Sequence, residues 1–290
     1  MIKYNIDKQN IKNIIMIEIK DLEFAYKQKQ VFSNISLEFL PGNIYGLLGE
    51  NGVGKTTLLK LISGLQEPKC GTCKVDDMTS FDRQPSMLSN LFFLPDTVVL
   101  PESKTPLLYA DELAPFYPKF SKDELQRMLQ ELEVDGSWKF AQMSYGQQKK
   151  ALISVALSMG TKYILFDEPT NGLDIPSKSQ FRKIISQRID EDTAIIISTH
   201  QVKDVENLID PIVILRQNDV MLNASMEQIA QKLYFEYGAE SNPSALFSEM
   251  HPGGCLNVIV NTTGEESQVN IEALFNAAHQ NPQIFKELFK

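Results

Sequence analysis

Gly49-Glu50-Asn51-Gly52-Val53-Gly54-Lys55-Thr56-Thr57 stands between two apolar segments of different period. Residues 44–48 before it make a short apolar run of strand length. Residues 55–63 after it carry Leu58, Leu59 and Ile62 at helical spacing, and Gly64 ends that pattern. Gly49 and Gly54 followed by Lys and Thr, at a passage from strand to helix, form the pattern of a loop that cradles phosphates. Such a loop must point backbone N–H groups inward, and side chains would obstruct it; the helix N-terminus behind it adds partial positive charge. In this reading Lys55 neutralises the β and γ phosphates and Thr56 offers its hydroxyl to Mg²⁺.

Downstream, residues 163–166 are a continuous apolar run that ends in Asp167-Glu168. Residues 193–197 form a second such run, ending near His200. Continuous runs suit strands covered on both faces, as in a parallel sheet flanked by helices. Acids at the carboxyl end of such a strand face the ligand crevice. Asp167 is therefore expected to hold the metal ion and Glu168 to polarise the attacking water.

The order of these motifs, from about residue 16 to 216, resembles the nucleotide-binding domain of ABC-type ATPases. The resemblance implies an α/β fold: a P-loop NTPase core of the ABC ATPase type with an N-terminal antiparallel β subdomain, a helical insertion and a small α+β C-terminal extension. Met143-Ser144-Tyr145-Gly146-Gln147-Gln148 is similar to the family's signature motif, with Tyr145 where the first of two glycines usually stands. By resemblance Ser144, Tyr145, Gly146 and Gln147 would contact ATP held by the opposite subunit, as would Asp174 in Asn171-Gly172-Leu173-Asp174. His200 stands where the family has its switch histidine and would join Glu168 and Lys55 as a catalytic group. Tyr26 falls where an aromatic stacks on adenine. The ATP set would then comprise Tyr26, residues 49–57 and Asp96, and the metal set Thr56, Asp167 and Asp96. Asp96, in Leu94-Pro95-Asp96, replaces a usual Gln.

ATP and Mg²⁺ are the implied cofactors. The implied partners are a second ATPase subunit, identical or homologous, and a separate membrane-spanning permease. That would place the chain in the cytoplasm, peripheral on the inner face of the membrane. The stretch 270–275 resembles the tail of ATPases serving bacitracin-resistance-type exporters, which suggests export. The competing class is a soluble ABC ATPase that clamps ribosomes or DNA.

The rest of the sequence sets limits. Its 290 residues are 43% hydrophobic and 22% charged, an ordinary globular composition. Acidic residues outnumber basic ones 37 to 28, for a net charge of −9, a poor surface for nucleic acid. No apolar run approaches the roughly 18–20 residues that span a bilayer. The three cysteines make no disulfide framework, and Cys70 and Cys73 lack the second pair that a zinc site needs. Residues 1–15 read as an N-terminal extension, 16–217 as the ATPase domain with a helical insertion at about 100–160, and 218–290 as a C-terminal extension. Within the last, residues 238–243 resemble a linker.

Overall fold

The computed structural model describes residues 16–289; the extension expected at 1–15 lies outside them. β1 (Ile17–Tyr26) and β2 (Lys29–Phe39) pair antiparallel, and β3 (Asn43–Leu48) leads through the glycine-rich loop into α1 (Lys55–Ile62). β4 (Cys70–Val75) and β5 (Met78–Thr79) return to β1, giving an antiparallel sheet of order β2-β1-β4-β5. Cys73 lies inside this sheet, where burial pushes its thiol up to about 11, so it is a protonated core residue. α2 (Pro85–Leu88) and β6 (Leu91–Leu94) precede three helices, α3 (Pro106–Leu113), α4 (Lys122–Glu131) and α5 (Tyr145–Ser158). Thr105 and Ser121 cap the first two through side-chain oxygens that accept from Leu108 and Glu124 N–H.

β7 (Tyr163–Asp167), α6 (Ile175–Arg188), β8 (Ala194–Thr199), β9 (Ile212–Arg216) and β10 (Asp219–Ala224) complete the central sheet, of order β10-β9-β3-β8-β7-β6. All its pairings are parallel except β10 with β9. The two faces of this sheet feed two cores. Ile44, Leu48, Ile164, Phe166, Ile195 and Ile197 face the three inserted helices, while Tyr45, Leu47, Tyr163, Leu165 and Ile196 face α1 and the antiparallel sheet. That double burial is why these strands read as unbroken apolar runs.

The tail consists of α7 (Met226–Lys232), β11 (Leu233–Gly238), β12 (Phe247–His251), β13 (Gly254–Val260), α8 (Ile271–Gln280) and α9 (Pro282–Leu288), with a sheet of order β11-β13-β12. Two sequence expectations change here. Residues 238–243 are not a loose linker: Gly238 ends β11 and pairs with Cys255, residues 239–243 lie in the connection towards β12, and Asn242 N–H donates to Asn257 Oδ1 at 2.9 Å. The boundary drawn at 217/218 cuts the β9–β10 hairpin, because β10 is the edge strand of the central sheet. Leu233, Phe235, Leu256, Val258, Leu274 and Phe285 of the tail belong to the same apolar cluster as the inserted helices. α8 also packs on the segment just after His200, where Lys203 pairs with Glu272 at 2.9 Å. No helix among the described residues is long and apolar enough to cross a membrane.

Candidate functional site

Four adjacent parallel strands, β3, β8, β7 and β6, end on the same side of the sheet. Leu48 aligns with Thr199, Asp167 with Ser198, and Leu94 with Phe166. The segments leaving these strands are the glycine-rich loop, His200, Glu168 and Asp96. The register alone thus gathers them at the carboxyl edge, where open α/β sheets bind ligands. They line a cleft of about 500 Å³ that also includes Tyr26, Asn51, Thr56 and Thr57.

The loop wraps closely. Gly54 has φ 121, and a Cβ there would meet the Phe32 ring at 2.8 Å, so both conformation and space require glycine. Lys55 is 6% exposed. Its ammonium donates to the carbonyls of Gly49 at 2.7 Å and Glu50 at 3.3 Å and lies 3.5 Å from Glu168 Oε1. Burial lowers the Lys55 pKa below the ordinary lysine range, against the opposing pull of Glu168.

Opposite the loop, Asp167 Oδ2 accepts from the Thr56 hydroxyl at 2.7 Å and Oδ1 from the Ser198 hydroxyl at 2.5 Å. Glu168 follows in the left-handed region at φ 48, an uncommon state for a side-chain-bearing residue. Its N–H donates to Ser198 O at 3.0 Å, which holds that conformation. Its carboxylate accepts from His200 Nδ1 at 2.9 Å, so Nδ1 carries the proton in this pairing. The opposite ring nitrogen, Nε2, faces the Gln201 amide at 3.5 Å. Asp167 and Glu168 are 2% and 8% exposed.

Among the described residues no group of three His, Cys, Asp or Glu side chains forms a metal cage. Mg²⁺ does not need one, since it usually keeps waters and substrate phosphates beside one or two carboxylates. Asp167 with the Thr56 hydroxyl is a hard-oxygen pair that fits that ion.

Asp96 lines the cleft, but its Oδ1 is already engaged: Lys149 Nζ donates to it at 3.2 Å and to the Asp96 carbonyl at 2.9 Å, and Asn171 Nδ2 approaches it at 3.4 Å. Lys149, Ser198 and Gln201 were absent from the residues singled out by sequence, and Asn171 appeared there only as part of the loop 171–174, with no role of its own. Lys149 carried one signal, a cation one turn after Tyr145 on a helix whose following positions are buried.

Ser144, Tyr145, Gly146, Gln147 and Asp174 lie outside the cleft of their own chain. Ser144 caps α5 in a reciprocal box with Gln147, at 3.3 and 2.9 Å, and Asp174 caps α6 through Ser177 N–H at 2.9 Å. The Tyr145 ring covers Gly172, whose φ is 78; a Cβ at that position would lie 2.4 Å from the ring. The two loops therefore form one surface, on which Tyr145 is 53% and Ile175 83% exposed.

The profile of the ABC transporter family matches residues 32–171. The ABC transporter ATP-binding protein YtrB of Bacillus subtilis is 28% identical over 218 residues, 75% of this chain and 74% of that relative. An ABC transporter ATP-binding protein of Methanocaldococcus jannaschii is 30% identical over 236 residues, 76% of this chain and 82% of that relative. A solved ATP-binding subunit of an ABC transporter superposes with a TM-score of 0.67 at 27% identity, covering 74% of this chain and 91% of its own.

Proposed function

The chain belongs to the ABC transporter family of ATP-binding proteins, and we propose that it is the ATP-hydrolysing subunit that drives a separate membrane-spanning partner. The observation that carries this reading is the convergence of Lys55, Thr56, Asp167, Glu168 and His200 on one cleft. The loop amides and Lys55 bind the triphosphate, and Tyr26 offers a face for the base. Mg²⁺ on Thr56 and Asp167 would neutralise charge on the β and γ phosphates. Glu168 accepts the proton of the attacking water. His200 orients the Glu168 carboxylate through Nδ1.

The signature surface completes the site from a second subunit. Ser144 and Asp174 sit beside the exposed apolar Tyr145 and Ile175, an arrangement that suits a protein contact. ATP is then bound more tightly by the closed pair than by the open one, and that difference is what can move a partner. For the partner we assign a second cleft, of about 790 Å³, between α2 with β6 and the segment 113–118 where α3 ends. Leu65 and Phe116, 49% and 68% exposed, give it an apolar rim. Export is the direction favoured by the likeness at 270–275.

Tagged Glu168→Gln protein, captured with ATP and Mg²⁺ from detergent-solubilised source cells, should bring down a multi-span membrane protein identified by mass spectrometry. Phe116→Asp should lose that partner while the isolated chain still hydrolyses ATP. Ribosomal proteins or DNA in the capture would replace this reading with the soluble clamp.

A further inference from the structure

Two departures from the family pattern, Asp96 and Tyr145, share neighbours in space. Tyr145 and Lys149 are one turn apart on α5 and so project from the same side of it. The Tyr145 ring lies on Gly172, and the preceding Asn171 donates to Asp96 Oδ1 at 3.4 Å. Lys149 reaches the same oxygen at 3.2 Å with its side chain 3% exposed, whereas the Asp96 side chain is 40% exposed towards the cleft.

A buried ammonium demands a counter-charge, and among the described residues Asp96 supplies it for Lys149. The converse matters more for the site. Asp96 brings a carboxylate to a cleft that must accept a triphosphate, and like charges there repel. We propose that Lys149 is a positioning and charge-compensating residue of the ATP site: it pins Asp96 from behind and offsets its charge against the phosphates of ATP. It also ties α5, and Ser144 at the start of that helix, to the mouth of the cleft. Without Lys149 the Asp96 side chain regains rotamer freedom as an uncompensated anion. The inference rests on the ATPase reading above.

The test is a double-mutant cycle on full-length protein, with KM and kcat for MgATP measured beside thermal melting. Lys149→Met should raise KM for ATP by roughly tenfold with a smaller change in kcat. Lys149→Arg should keep KM close to wild type. In an Asp96→Asn background, Lys149→Met should change KM by less than about twofold, since both charges are then gone. If Lys149→Met does not fold, Lys149→Gln takes its place in the same cycle. An unchanged KM in Lys149→Met, or the same tenfold loss when Lys149→Met is made in the Asp96→Asn background, overturns the proposal. A wild-type protein with no ATPase activity would instead overturn the functional reading beneath it.

Discussion

Lys55, Asp167 and Glu168 are nearly buried, and each is held by groups from other strands and loops of the same chain. Ser144, Gln147 and Asp174 are held only by the first turn of the helix each belongs to, on a surface where Tyr145 and Ile175 are bare. The first region is organised by the fold of one chain. The second has its hydrogen bonds in order yet faces solvent, so its shape is set without anything covering it. A helix cap stays satisfied in solvent, so in the proposed dimer the same Ser and Asp would serve stability in one chain and contact in another.

The largest effect should come from the buried region. Lys55→Ala removes the one ammonium that the loop aims at the phosphates, and ATP turnover should fall at least about 100-fold in a phosphate-release assay. Turnover near wild type would break the assignment of the cleft. Next, Ser144→Arg should silence hydrolysis yet leave ATP binding to the single chain measurable by calorimetry. Mixed with Lys55→Ala, it should recover about a quarter of wild-type turnover, because half the dimers then carry one intact composite site. No recovery would mean that the two regions do not meet across subunits.

A milder change separates capping from contact. Ser144→Ala should cost about 1 kcal/mol of stability, a shift of roughly 2–4 °C in Tm. A loss of activity far beyond that shift locates the role of Ser144 at the interface. The smallest effect is a pH limb. Burial holds the Lys55 pKa below the ordinary lysine range, so folding opposes its charge at neutral pH and that opposition fades as the pH rises through the lowered value. ATP binding runs the other way. It should weaken on the alkaline side before a solvent-exposed lysine would titrate, and Lys55→Arg should remove that limb.

The central sheet was legible because its strands are buried on both faces: β3, β7 and β8 show as unbroken runs such as Tyr163-Ile164-Leu165-Phe166. α4 was legible from the spacing of Leu125, Met128 and Leu129. β12 was not, because Phe247, Ser248, Glu249, Met250 and His251 are all at least partly exposed and carry no period. β10 was missed for a different reason: only its pairing with β9 makes Asp219–Ala224 a strand of the sheet. For Lys149 the local pattern gave only a cation one turn after Tyr145; its burial follows from where Asp96 lies, which that pattern does not encode.

β10 has a consequence for heredity. A chain ending at residue 217 would leave β9 with an open edge, a template for pairing with other molecules. It would also strip cover from the apolar cluster that Leu222, Leu233, Leu256 and Leu274 help to close. The tail is thus not a cassette that recombination can trade between relatives in one step. A lineage that shortened it would first have to repaint the face beneath, residue by residue, and would remain prone to clumping until it had.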